Sequence, residues 1–498
     1  TFTQQRFGDT GPNDWFGFGD DYRALPGPLA AASEENAIKA GGIFSDGGYD
    51  ADELEAFGEM ISNRWGLEPR TLPPDFGLSA SAGGRIPIGE VEIGALAGFV
   101  FSNGWSIDEG FQTLYSQGDE GLEEKRRTTF VETQNRIRLG SALALGGEWE
   151  TGKITSTTLL MRSSTGTALI FDADDPTGSN DTSNVRIGWE EQQLLFEQVS
   201  AEIGFGEVQL AARYAGALAV RHEPDRRDYT YIDAEDGLVL SQRGSWSQIL
   251  YTDLADTTHD VAVDLTVPIF GASVKGGGLR VVRHRESTTR RFGYQFQGSE
   301  GIDLGAPIED VIVPENIGAE EDGDPGYLEL EENTTSSDDY AADQQLVAGY
   351  LMGDIPWTER FKTLIGARVE RSTQKVTTFE LFDTNQTPVV ADLTTTDLLP
   401  AATMTLGIGP AEETERMLVR FGYGRTLSRP EFRELSQVSF YDYRSGRLLF
   451  GNPDLERATI ENLDLRWEWY PRDGESLSAG LFYKYFDQPI ESVIAVSA

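Results

Sequence analysis

Three histidines, His222, His259 and His284, are the only imidazoles in this 498-residue chain. None stands at the short i, i+4 spacing that brings two nitrogens to one metal, so a zinc site is not expected. Glu321-Asp322-Gly323-Asp324 and Asp172-Ala173-Asp174-Asp175 look like pieces of a calcium loop, yet neither runs on to the closing bidentate Glu. Solvated acidic loops and weak divalent-cation binding both fit them. Gly276-Gly277-Gly278 lacks the Lys-Ser/Thr of a phosphate loop and is read as a bulge or bend within a strand. No Gly-x-Ser-x-Gly elbow occurs. With no cysteine at all, thiol catalysis, thiolate metal sites and disulfides are excluded. Carboxylate pairs of the glycosidase kind arise by chance among 82 Asp+Glu, and nothing singles one out. The expectation is a protein without catalytic residues, cofactor or metal, and hence not an enzyme.

Charge narrows the partners. The 82 acids face 41 Lys+Arg, a formal charge of −41. That field repels nucleic acid, and no basic cluster with interleaved aromatics offsets it. Acidity also suits solubility or a halophilic habit, and equally an envelope protein with carboxylate-rich external loops. No apolar run reaches the roughly 18 residues of a membrane helix. A mean hydropathy of −0.36 does not argue against a membrane barrel, whose strands are half polar.

The elements that could position side chains are strands. In residues 462–470, Asn462, Asp464, Arg466 and Glu468 alternate with Leu463, Leu465, Trp467 and Trp469. Side chains leave a strand alternately, so one face is charged and the other apolar, with rings at its end. Lipid outside, water inside and aromatic girdles at the interfaces demand this sorting in a transmembrane barrel. Arg420, Asn462, Asp464, Arg466 and Glu468 are therefore expected to face a lumen, contacting a plug or solute or simply pairing across strands. Leu463, Leu465, Trp467 and Trp469 are expected to face lipid.

Similar alternation begins near Glu90, with Val91, Ile93, Ala95, Ala97, Phe99 and Phe101 in one row, and recurs to about residue 486. It predicts roughly 12–14 strands of about 9–15 residues, long enough to cross a bilayer at a tilt. Residues 1–85 read as an entry segment, with a turn-rich aromatic stretch from Asp14 to Pro26 and a short helix over Leu29–Ala40; residues 86–498 read as the barrel. Short connections (146–152, 353–360, 470–476) are expected on one rim. Long acidic loops (102–131, 165–184, 222–258, 294–339, 426–458) are expected on the other, extracellular rim. No repeat of solenoid or propeller length is visible. The fold class is all-β, an antiparallel up-and-down transmembrane barrel, incomplete.

The segment 417–491 carries a more specific signal: Met417–Arg425 running into Ser428-Arg429-Pro430-Glu431-Phe432, then Gly451-Asn452-Pro453-Asp454-Leu455, then Leu481-Phe482-Tyr483-Lys484 closing on Pro489-Ile490-Glu491. It resembles the barrel region of TonB-dependent outer-membrane receptors, where a strand ends near Arg-Pro, and a Gly-Asn-Pro-x-Leu turn opens the returning one. Arg429, Pro430, Gly451, Asn452 and Pro453 mark that turn. Ile365–Glu370, Asp397-Leu398-Leu399-Pro400 and the Gly17–Pro26 segment are similar to the same family. The resemblance implies the outer membrane of a Gram-negative bacterium and energised uptake of a scarce nutrient: an iron chelate, a cobalamin-like cofactor, an oligosaccharide or a peptide. It implies outer-membrane lipid and the TonB complex, acting through a plug, as partners. Family barrels have about 22 strands around a plugged lumen. This chain is accordingly expected to be a fragment lacking the plug and the last strands. A passive porin or surface adhesin is the alternative, and a soluble carbohydrate-active β-protein a further one. Phe440, Tyr441 and Tyr443 suit stacking on a sugar or aromatic chelator, or loop packing.

Overall fold

The computed structural model describes residues 4–19, 21–41, 47–118, 121–174, 181–234, 237–242, 247–298, 301–318, 326–334, 338–379, 388–408, 416–436, 438, 440–442 and 447–493. Its first part is a compact cover. Strands β1 (Gln4–Phe7) and β2 (Glu68–Thr71) pair, and between them lie α1 (Gly27–Glu35) and α2 (Ala51–Met60). Helix α1 starts at Gly27-Pro28, where proline's fixed φ suits the first turn. It ends before Asn36, shorter than the Leu29–Ala40 expectation, because Asn36 is extended. Asp50 and Glu53 form a capping box on α2.

The rest is built on one large antiparallel sheet. In chain order it uses β3 (Phe76–Ile88), β4 (Val91–Gly118), β5 (Gly121–Trp149), β6 (Gly152–Asp174), β7 (Thr182–Phe205), β8 (Val208–Ala234), the short β9 (Gly237–Leu240), β10 (Gln248–Ile269) and β11 (Ala272–Phe296). After α3 (Ile308–Val311) follow the short β12 (Leu328–Glu332), β13 (Asp339–Thr358), β14 (Phe361–Phe379), β15 (Val389–Gly407) and β16 (Met417–Ser428). After α4 (Phe432–Leu435) come β17 (Phe440–Asp442) and β18 (Arg447–Leu449), a small hairpin that among the described residues pairs only with itself, then β19 (Ala458–Trp469) and β20 (Leu477–Asp487). Among the described residues, fourteen strands run in series from β3 to β20, with β9 and β12 as side branches on β8 and β11. Each strand of the series follows its sequence neighbour, as an up-and-down barrel wall requires. Among the described residues no helix is long and apolar enough to cross a membrane.

The sheet begins at Phe76, earlier than the pattern suggested. Phe76–Ile88 reads Phe-Gly-Leu-Ser-Ala-Ser-Ala-Gly-Gly-Arg-Ile-Pro-Ile, and its small residues blur any alternation. The strands are also longer than expected, up to 29 residues in β5. Segments 102–131 and 165–184 were expected as loops but are mostly ladder: β4 and β5 stay paired up to Gly118↔Gly121, and β6 and β7 up to Ala173↔Thr182. Backbone hydrogen bonds are indifferent to side chain, so pairing continues where apolar alternation has stopped. The glycine run is no bulge. Gly276, Gly277 and Gly278 pair unbroken with Leu265, Asp264 and Val263 on one side and with Leu351, Tyr350 and Gly349 on the other. A Cβ on Gly277 would fall 2.1 Å from Asp264 Oδ1 and 2.8 Å from the Tyr350 ring, so glycine is there for clearance. Register does shift at Leu114/Tyr115, Ile187/Glu191, Leu250/Thr252 and Pro356/Thr358.

One rim carries tight turns. Ile88↔Val91, Phe205↔Val208 and Ile269↔Ala272 close over two residues each. Phe270 (φ 51°) and Gly271 (φ 84°) both take the left-handed region a type I′ turn requires. The opposite rim carries the β8–β10, β11–β13 and β16–β19 connections, which contain their own short strands and helices.

Candidate functional site

Register carries a face across the sheet. Asp464 shares its face with Glu468, Arg420, Glu370, Asp397, Arg283, Arg285 and Asp256; Leu465 shares the other with Phe421, Ile365, Val261, Leu195 and Phe99. Below about mid-strand the Leu465 face is largely apolar and exposed, including Phe99, Leu143, Leu195, Val261, Leu351 and Leu463. Glu197 breaks this row, its carboxylate accepting from Ser156 Oγ at 2.6 Å and from Thr158 Oγ1. Trp467 and Trp469 stack with centroids 6.4 Å apart. On the Asp464 face Glu468 is buried between Arg466 (2.8 Å) and Arg420 (3.3 Å), and Asn462 Nδ2 donates to the Gly424 carbonyl (3.0 Å).

The Asp464 face also seats the connection after β16. Arg429 Nη2 lies 2.7 Å from Glu370 Oε2 and 3.7 Å from Asp397 Oδ2, while Arg457 Nε bonds Asp397 Oδ1 from the returning chain. Asp397 is 5% exposed, so its charge is held by guanidinium groups from both ends of one loop. Gln374 Nε2 donates to the Pro430 carbonyl at 3.0 Å. Phe432 is buried with its ring 4.8 Å from the Arg283 guanidinium and 5.4 Å from that of Arg285; both arginines pair with Asp256. Around it pack Tyr340, Ala342, Val376, Ala391 and Leu435. The Gly-Asn-Pro turn follows. A Cβ on Gly451 would sit 2.3–2.6 Å from the carbonyl oxygens of Ser436, Glu434 and Arg433, and Asn452 N donates to the Glu434 carbonyl at 2.7 Å. Asp454 N then donates to Asn452 Oδ1 at 2.9 Å, which turns the chain toward β19. Glycine is thus required by close approach, and the marked turn residues dock a loop.

The Leu465 face, in its upper half, is covered by residues 4–75. Leu29, Ile38, Leu54, Ile61 and Trp65 meet Tyr229, Ile249, Phe292, Tyr294 and Leu330 in one buried cluster, closed by Ile308 and Val311. Polar anchors surround it: Arg64 Nη2 to Asp225 (2.9 Å), Arg227 Nη2 to the Ser62 carbonyl (2.7 Å), and Arg290 Nη1 to the Ser33 carbonyl (2.7 Å). Within the cover Arg23 clamps Asp14 at 2.7 and 2.8 Å. The Tyr22 phenol bonds the Asp9 carboxylate, which, with burial, holds its pKa above the usual range. Beside α1 an open cleft of about 620 Å³ is bordered by Asp21, Glu34, Glu191, His222, Asp253 and Arg290.

The three histidines lie on the Leu465 face, apart from one another. His222 meets Asp253, His259 the Tyr214 hydroxyl (2.9 Å), and His284 Asp343 (2.9 Å) and Glu286 (3.3 Å). Among the described residues no cluster of His, Asp and Glu is arranged to hold a metal. Glu321–Asp324, Asp175 and Tyr443 fall outside the described residues; Phe440 and Tyr441 are in the small hairpin. Glu370 and Asp397 stood out only as members of family-like segments, without a role, and Arg457 not at all. The i, i+2 pair Arg368–Glu370, closed at 2.6 Å, was the available signal for the first.

The sheet is thus a barrel wall with a charged face, an apolar face and a loop folded back onto the charged side. Residues 103–498 match the family model for the TonB dependent receptor-like β-barrel, and the chain belongs to that family. Comparison with curated proteins found no match. Among solved structures it is similar to the siderophore receptor PiuA from Acinetobacter baumannii, at 10% identity and a TM-score of 0.42, covering 84% of this chain and 58% of that one. It is similar to the alcaligin outer-membrane receptor FauA from Bordetella pertussis (12%, 0.39; 86% and 55%) and to the ferric citrate transporter FecA (12%, 0.40; 84% and 53%). The chain spans between half and two thirds of the length of each.

Proposed function

We propose that this chain is wall of a TonB-dependent receptor in the outer membrane of a Gram-negative bacterium, serving energised uptake of a scarce nutrient. The lower Leu465 face, with Leu463, Leu465, Trp467 and Trp469, meets lipid. The Asp464 face, with Arg420, Asn462, Asp464, Arg466 and Glu468, lines the lumen through which the nutrient passes. Residues 76–487 form the wall, residues 4–75 cover it above the apolar band, and the rim with long connections is extracellular.

The observation that carries the reading is the sorting of faces over fourteen strands in series, together with family membership over residues 103–498. Hydrocarbon penalises a charge near the bilayer midplane by about 2–4 kcal/mol, which a lumen does not. The wall does no covalent chemistry; its contribution is selectivity and passage. Energy would come from the TonB complex, through a plug supplied by the complete receptor.

The test is genetic and biochemical. The receptor should fractionate with the outer membrane, and deleting its gene should abolish accumulation of one nutrient. Deleting TonB should abolish the same uptake. Uptake that survives loss of TonB would identify a passive channel instead.

A further inference from the structure

The cover carries one feature the transport reading leaves unused. Trp15, Phe16 and Phe18 are 43%, 56% and 44% exposed, three large rings within four residues. Solvent-facing aromatics grouped so closely mark a contact surface. Their backbone is fixed from beneath. Asn103 Nδ2 donates to the Trp15 carbonyl at 3.1 Å, and Arg162 Nε and Ser164 Oγ both donate to the Gly17 carbonyl at 2.6 Å. Gly17 takes φ 75°, and a Cβ on it would fall 2.9 Å from Ile137 Cγ2. The Arg162 guanidinium lies 4.8 Å from the Phe18 ring centre.

Height decides what the rings can reach. Asn103, Ile137 and Ser164 are paired across β4, β5 and β6. Each stands twelve residues from the tight-turn rim, at Val91, Trp149 and Gly152 respectively. Twelve residues rise about 40 Å along a strand. At the usual barrel tilt of about 35–45° that is about 30 Å of height, against an apolar band about 25 Å tall. The rings therefore sit at the upper border of the band, on the Leu465 face, directly above exposed Phe99 and Leu143. That is the level of an aromatic girdle, where amphipathic rings are held between headgroups and acyl chains.

We propose that Trp15, Phe16 and Phe18 are an interfacial anchor, inserted at headgroup level of the outer leaflet, so that the partner of this turn is a lipid surface. The proposal rests on the reading that the lower Leu465 face meets lipid. The anchor fixes the cover against both wall and membrane, and it supplies girdle aromatics from a segment outside the sheet.

The chain has no cysteine, so single labels can be placed cleanly. Nitroxides would be attached to Phe16→Cys, Trp15→Cys, Leu463→Cys, Asp464→Cys and Glu55→Cys in the full-length receptor, freed of any cysteine elsewhere. Collision with oxygen and with a water-soluble nickel chelate would be compared in vesicles of phosphatidylethanolamine and phosphatidylglycerol. Expected are an oxygen-favoured label at Leu463, nickel-favoured labels at Asp464 and Glu55, and labels at Trp15 and Phe16 shielded from nickel severalfold relative to Glu55. If Leu463 is shielded while both Trp15 and Phe16 are as nickel-accessible as Glu55, the anchor is overturned and the barrel reading stands. If Leu463 itself is open to nickel, the assignment of faces fails and the anchor with it.

Discussion

The described residues of segment 4–75 cover the Leu465 face, and Arg429–Ser436 and Gly451–Arg457 lie on the Asp464 face of the same sheet. The first segment is held mainly by an apolar cluster in which Trp65 is fully buried and Tyr229 meets it edge-on at 5.9 Å. The second adds a set of charged contacts to a smaller apolar cluster around Phe432 and Leu435: Arg429 and Arg457 on Asp397, Arg429 on Glu370, and Phe432 over Arg283 and Arg285. Apolar burial is strong but undirected, so it suits a permanent cover. Arginine–carboxylate contacts are directional and fix a geometry, and a partly hydrated charge pair can be exchanged for another. A loop seated by charge on the proposed lumen wall has the kind of contact that a passing solute could compete for; the cover does not.

The largest test of this contrast is Trp65→Ala. Removing a fully buried indole costs about 3–5 kcal/mol. The cover should loosen, seen as rapid tryptic cleavage between residues 64 and 70, while the 429–457 loop stays protected. Equal loss of protection in both segments would show that they are one unit. Asp397→Ala comes next. It strands Arg457 and leaves Arg429 with Glu370 alone, and breaking such a buried pair costs about 3 kcal/mol. Protection should vanish at Arg433 and Arg457 and persist at Arg64 and Arg70. Gly451→Ala acts on the same loop through sterics alone. Its Cβ would press on three carbonyl oxygens at 2.3–2.6 Å, and overpacking of that kind costs about 1–3 kcal/mol. Loop cleavage should rise without any change in salt dependence, separating fit from charge.

The smallest effect concerns Asp339, at the outer end of β13 and clear of the apolar band. Burial, foremost, pushes its carboxyl up to about 6, although Thr289 N donates to it at 2.6 Å. A raised carboxyl in the folded state contributes stability below its unfolded pKa of 3.8 and loses it as pH rises through about 6. Asp339→Asn should therefore raise the unfolding midpoint at pH 7, and that gain should shrink toward nothing near pH 4. A gain that is independent of pH would place its origin elsewhere.

The alternation of residues 462–469 was enough to sort a strand, because the period of two is a local property of an extended chain. It led to an antiparallel wall of roughly 12–14 strands, and the motif residues Arg429, Pro430 and Gly451–Pro453 led to the family. The upper halves of β4 to β8 were not legible. In 121–131, Glu123, Glu124, Lys125, Arg126, Arg127, Thr128 and Thr129 put polar side chains on both faces, so no hydrophobic row survives and the segment reads as loop while its backbone remains paired. Two further features depended on the tertiary structure. Whether residues 4–75 meet the Leu465 face or the Asp464 face depends on partners such as Arg227 and Tyr294, more than 150 positions away in the chain. Likewise the Asp397 clamp joins residues separated by 60 positions. Local period decides what each strand shows to either side; only the closed set of long-range contacts decides what comes to cover it.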